Sequence, residues 1–157
     1  MSKLVAFVYG NETGAKRLEA DLVKARDEKN LRVGDAAIVI RHSDGRSQFS
    51  HASELVDRGS MGGIFWGFIL ALIFWTKWLG LSIGGALGDL RLDEDFVKDI
   101  GEAVGKGHSA LLAIVEQGRL PGVLEVAEES NPTVYQSTLS EEDEQVLKVV
   151  FQSTREM

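Results

Sequence analysis

One stretch governs what this chain can become. GGIFWGFILALIFWTKWLGLSIGGALG, residues 62 to 88, carries a single charge, Lys77, and is dense in Trp, Phe, Ile and Leu with glycines at both ends. From Gly59 to Gly88 a straight helix would measure roughly 45 Å, more than the about 30 Å of a bilayer's hydrocarbon core. A single crossing would place residues 1 to 58 and 91 to 157 on opposite sides of a membrane. Each side would then hold part of a sheet with open edges. A hairpin returns the chain to the same side and lets Phe7, Ile38 and Leu112 share one core. The expectation is therefore two helices, 61 to 75 and 78 to 90, turning at Trp75-Thr76-Lys77-Trp78.

Each arm of such a hairpin is only about 20 to 24 Å long, short of a full span. Gly63 and Gly67 stand four apart, as do Gly80, Gly84 and Gly88. That spacing clears a stripe along each arm and lets backbones approach closely, as at small-xxx-small helix contacts. Phe65, Trp66, Phe74, Trp75 and Trp78 supply the bulk around the stripes. A small domain has few spare apolar faces with which to cover both arms. The expected partners of these ten residues are identical hairpins in a homo-oligomer, or lipid, with Trp75 and Trp78 at an interface and Lys77 snorkelling.

The flanks alternate between strand and helix patterns. LVAFVY, 4 to 9, reads as a buried strand, and Leu18, Leu22 and Ala25 recur at helical spacing within 13 to 29. AAIVIR, 36 to 41, is a second strand, Ser43-Asp44-Gly45 a hairpin turn, and 46 to 50 the return strand. After the apolar stretch, Asp93-Glu94-Asp95 opens a helix with Phe96, Val97, Ile100 and Val104 as its stripe. ALLAIV, 110 to 115, is another buried strand, followed by a helix over 119 to 129 and a strand over 133 to 138. Ser140 with Glu141, Glu142 and Asp143 caps a last helix whose apolar face is Val146, Leu147, Val150 and Phe151. The fold class expected is α+β in one domain, 1 to 157. The first six elements form a ferredoxin-like (split βαβ) sheet, an apolar helical hairpin is inserted at about 59 to 90, and an αβα extension closes the chain.

Composition narrows the function classes. The 157 residues hold no cysteine, so there is no disulfide framework and no thiolate chemistry. MSKLVAFVYGNE lacks the long apolar region of a secretory signal, and the expected location is the cytoplasm, including the inner face of the cell membrane. The net charge of -7 is uneven, because residues 1 to 58 are nearly balanced while 91 to 157 hold 14 acidic against 6 basic residues. Such an acidic half argues against nucleic acid as a partner, since phosphate binding needs clustered Lys and Arg.

The order of features resembles the bacterial domain-of-unknown-function family 1269, whose members are often described as predicted membrane proteins. The resembling segments are LVAFVYG, DAAIVIRHSDG, GGIFWGFILALIF with GGALGDL, DEDFVKDIGEAVGKGHSALLAIVE and STLSEEDEQVL. The resemblance implies no activity and assigns no catalytic residue.

Candidate chemistry elsewhere is thin. GNETGAK, 10 to 16, sits between a strand and a helix but has three residues between its glycines where a phosphate loop needs four, so Asn11 or Thr13 reads as a helix cap. GKGHSA, 105 to 110, reads as a glycine helix stop leading into a strand, with His108 lacking neighbours at metal spacing. His42 and His51 flank the hairpin and could approach each other across the ladder, still short of a third ligand. No G-x-S-x-G elbow exposes a serine, and the carboxylates of 141 to 144 suit a helix start better than acid–base work. The chain is expected to be a non-enzymatic self-assembling protein without a cofactor. The alternative is a small-molecule or stress-signal binding module using the sheet face or an inter-subunit cleft.

Overall fold

The first apolar run leads directly into the centre of a sheet. In the computed structural model, which describes residues 2–52, 54–55 and 94–139, β1 (Ser2–Tyr9) is followed by α1 (Gly14–Lys29), β2 (Asp35–Arg41) and β3 (Ser47–His51). Then come α2 (Glu94–Ala103), β4 (His108–Glu116), a 3₁₀ turn (Gln117–Arg119), α3 (Leu120–Glu128) and β5 (Thr133–Leu139). The fold is α+β, with a five-stranded antiparallel sheet in the order β3-β2-β4-β1-β5. The expected inserted hairpin and the last helix fall outside the described residues.

Period-2 alternation assigns the two faces. Val5 and Phe7 of β1, Ile38 and Ile40 of β2, and Leu111 of β4 join Leu18 and Leu22 of α1 and Val123 of α3 in one buried cluster. Leu4, Ala6, Val39, Leu112 and Ile114 are equally buried but alternate onto the other face. Phe7, Ile38 and Leu112 therefore do not share one core. Phe7 and Ile38 both oppose Leu111, and Leu112 opposes Ala6 and Ala37 on the reverse side. The long apolar runs LVAFVY and ALLAIV follow from this, because a strand buried on both faces has no solvent side on which to place polar residues. α2 packs against β5 and β1, and its Phe96, Ile100 and Val104 are buried outside the first cluster.

Two expectations about layout change. β5 hydrogen-bonds along the whole of β1, and α3 lies in the main core, so neither is an appended extension. Burial explains this: β1 is apolar on both faces and at its centre needs a neighbour on each side. The inserted segment also has defined flanks. β3 ends beside Ala37, with the Ala52 N–H donating to the Ala36 carbonyl at 3.0 Å. Arg41 Nη1 donates to the Val104 carbonyl just past α2 at 2.8 Å, so α2 ends near the far end of β2. Because strands from both sides of residues 56 to 93 share one sheet, both flanks lie on the same side of any bilayer.

Candidate functional site

The ten residues that the sequence singles out for contact, Gly63, Gly67, Gly80, Gly84, Gly88, Phe65, Trp66, Phe74, Trp75 and Trp78, lie outside the described residues. What is described is the root from which their segment departs. Ala52 and Leu55 are buried in the main cluster, and the Leu55 N–H donates to the Ala52 carbonyl at 3.1 Å. The Arg26 guanidinium, near the end of α1, donates to the Glu54 carbonyl. Three residues past β3 the chain is thus still fastened to α1.

Beneath that root lies a buried carboxyl group. Asp35 is 0% exposed, and its Oδ1 accepts the Ala36 N–H and lies 2.8 Å from His51 Nε2, whose side chain is 12% exposed. The placement follows from register: Ala37 opposes His51, so Asp35 stands two residues along on the same face, a diagonal neighbour. A carboxylate on one ring nitrogen fixes the orientation of the ring. Glu19 of α1 is close by, and its pKa is raised, first by burial and then by the like charge of Glu54, with Lys16 and His51 opposing.

A second carboxylate–histidine pair holds the opposite end. Glu12 Oε1 lies 2.5 Å from His42 Nδ1, tying the β1–α1 loop to the start of the hairpin turn, and His42 Nε2 lies 3.2 Å from Gln48 Oε1. Here both partners are about a third exposed. The turn beyond has Gly45 at φ 94, which the Asp-Gly sequence supplies without strain. Asp44 accepts the Arg46 backbone N–H at 3.0 Å, which lowers its carboxyl pKa below the usual value.

His42 and His51 do not meet. His42 pairs with Arg46 at the turn, and His51 sits at the other end of β3, each facing its own carboxylate. His108 lies against the Lys106 carbonyl in the α2–β4 loop. Among the described residues no group of three His, Asp or Glu side chains is placed to hold a metal ion. The start of α1 is likewise closed to phosphate. Asn11 Oδ1 accepts the Thr13 and Gly14 N–H groups, and buried Ser109 Oγ accepts that of Ala15 while donating to the Asn11 carbonyl. The expected capping role for Asn11 holds, and sequence alone did not reveal Ser109, 94 residues away.

An open groove of about 500 Å³ runs between α3 and β5. Leu124, Val134, Pro121 and Pro132 line it together with the carboxylates of Glu125 and Glu128. Val134 is 38% exposed and is the one large exposed hydrophobic among the described residues. Among those residues, too, no helix is long and apolar enough to cross a membrane.

No curated protein and no solved structure matches the chain. The family described as Protein of unknown function (DUF1269) matches residues 60–152, which takes in the apolar segment and most of the acidic half and leaves the first three strands and α1 outside. That span is more than half of the sequence: the chain belongs to the family of proteins of unknown function DUF1269.

Proposed function

We propose that this is a non-enzymatic self-assembling protein whose Gly-rich apolar segment joins copies of the chain, with lipid as the other surface the segment suits. The observation that carries the reading is the juxtaposition of that segment with its root. Twenty-seven residues with one charge lie between elements of one body that already buries both faces of its central strands. A returning segment is a hairpin in this reading, and the four-residue glycine spacing supplies its contact stripes. We also read the body as ferredoxin-like. The supporting feature is the interleaving of two βαβ units: β4 lies between β1 and β2, which α1 connects, and β1 lies between β4 and β5, which α3 connects. In this reading β3 is an added edge strand and the first six elements are not the unit.

The assembly would act in the cytoplasm, including at the inner face of the cell membrane, and not on nucleic acid, given the acidic balance of residues 91 to 157. Gly84→Leu is the test. A bulky side chain on the stripe should reduce particle size or solubility in detergent-free sedimentation, with vesicle flotation run in parallel to detect lipid binding. Unchanged assembly and unchanged flotation would show that the stripe is not the contact. A small-molecule or stress-signal module would draw on the α3–β5 groove. A metabolite and haem screen that raises the unfolding temperature by several degrees would favour it, and a flat screen would retire it.

A further inference from the structure

The two edges of the sheet are built differently, and the difference points to a second contact between copies. β3 is five residues long and lies next to a charged turn. β5 is seven residues, TVYQSTL, in unbroken register with β1 from Thr133↔Val8 to Leu139↔Ser2. It contains no charge, no proline and no bulge, the usual devices that keep an edge strand from pairing. Among the described residues nothing pairs with its outer edge.

We infer that β5 pairs antiparallel with β5 of a second copy about a two-fold axis through Gln136, giving a continuous ten-stranded sheet. This deepens the self-assembly reading by adding an interface that does not involve the apolar segment. The register is the one that pairs all seven residues, with Val134 opposite the partner strand's position 138 and Thr133 opposite its position 139. Charge favours it. Lys3, Val5 and Phe7 oppose Thr138, Gln136 and Val134 on the α1/α3 face, and Lys3 Nζ donates to Thr138 Oγ1 at 2.8 Å. Two-fold pairing sets Thr138, with the Lys3 ammonium on it, across from Val134 of the other copy. There the groove offers the apolar Leu124 and Val134 for the lysine stem and the Glu125 and Glu128 carboxylates for its head. Symmetry makes the contact twice, and an isologous interface of this kind closes at two copies.

The chain has no cysteine, so Gln136→Cys introduces a single thiol on the axis. Directly opposed antiparallel residues are about 4.5 to 5.5 Å apart at Cα, within disulfide reach. Mild oxidation of the full chain should convert most of it to a covalent dimer on a non-reducing gel. Exposed Glu28→Cys, on α1, is the collision control and should cross-link at least tenfold more slowly. Adding Lys3→Glu to Gln136→Cys should slow its cross-linking about tenfold, and adding Glu125→Lys with Glu128→Lys to that variant should restore it. Cross-linking of Gln136→Cys no faster than the control overturns the proposal. So does a thiol at 136 protected from both cross-linking and alkylation, which would assign the edge to another segment of the same chain. Large particles without the cross-link overturn edge pairing alone. A cross-link that persists when Gly84→Leu is added and particles shrink upholds it while separating it from the apolar segment.

Discussion

The β2–β3 hairpin is held at both ends by the same chemistry in different surroundings. At the turn, Glu12 and His42 are each about a third exposed, and at the root of the apolar segment Asp35 is fully buried with His51 12% exposed. An ion pair in water contributes little because solvent screens it and side-chain entropy opposes it. A buried contact is felt far more on removal, because water cannot replace the hydrogen bond that the carboxyl loses. The molecule therefore resists change unevenly: the root is held by a buried polar contact, the turn end by caps and packing.

Substitutions can break that contrast. His51→Ala removes the imidazole from the buried Asp35 carboxyl and should cost about 3 kcal/mol in chemical denaturation, the largest single loss expected. Gly14→Ala comes next. A Cβ there would collide with the Tyr9 ring, whose hydroxyl is held by Ser130, so the ring and α1 must separate at a cost of about 2 kcal/mol. Asn11→Ala removes the acceptor for two N–H groups at the start of α1 and should cost about 1 kcal/mol, read by the same denaturation curves. Glu12→Gln should cost less than about 1 kcal/mol, since the pair is partly solvated. A Glu12→Gln loss equal to that of His51→Ala would erase the difference between the two ends.

The smallest effect has the opposite sign. Burial and Glu54 raise the Glu19 pKa, so the folded state holds that proton more tightly than the unfolded chain does. Its ionised form opposes folding, a penalty absent below the ordinary carboxylate range and fully present once pH exceeds the raised value. Glu19→Gln should therefore raise the melting temperature slightly at neutral pH, with the gain disappearing as pH falls through the carboxylate range.

Much of the body is legible in the sequence because local patterns decide it. LVAFVY, AAIVIR and ALLAIV mark strands within two residues of their ends, and the 13 to 29 periodicity marks α1 to within one. The Ser43-Asp44-Gly45 turn is where expected, with Gly45 at positive φ. Strand order is not legible, since nothing local says that β4 separates β1 from β2. Placing Leu112 in one core with Phe7 fails for the same reason: in a strand buried on both sides, Leu111 and Leu112 carry equal apolar signals. The carboxylate–histidine pairs escape a local reading because their partners are 16 and 30 residues apart. Asp35–His51 has a usable signal, since the Asp-Gly turn fixes the ladder and the ladder makes the two diagonal neighbours. Glu12–His42 has none, being a contact between two loops.

The central claim is that copies of this chain assemble without detergent. Multi-angle light scattering of the purified full chain in detergent-free buffer tests it most directly. The predicted result is particles at a multiple of the 17.2 kDa chain mass that persist on dilution. A well-behaved 17.2 kDa monomer that also fails to bind vesicles would contradict it.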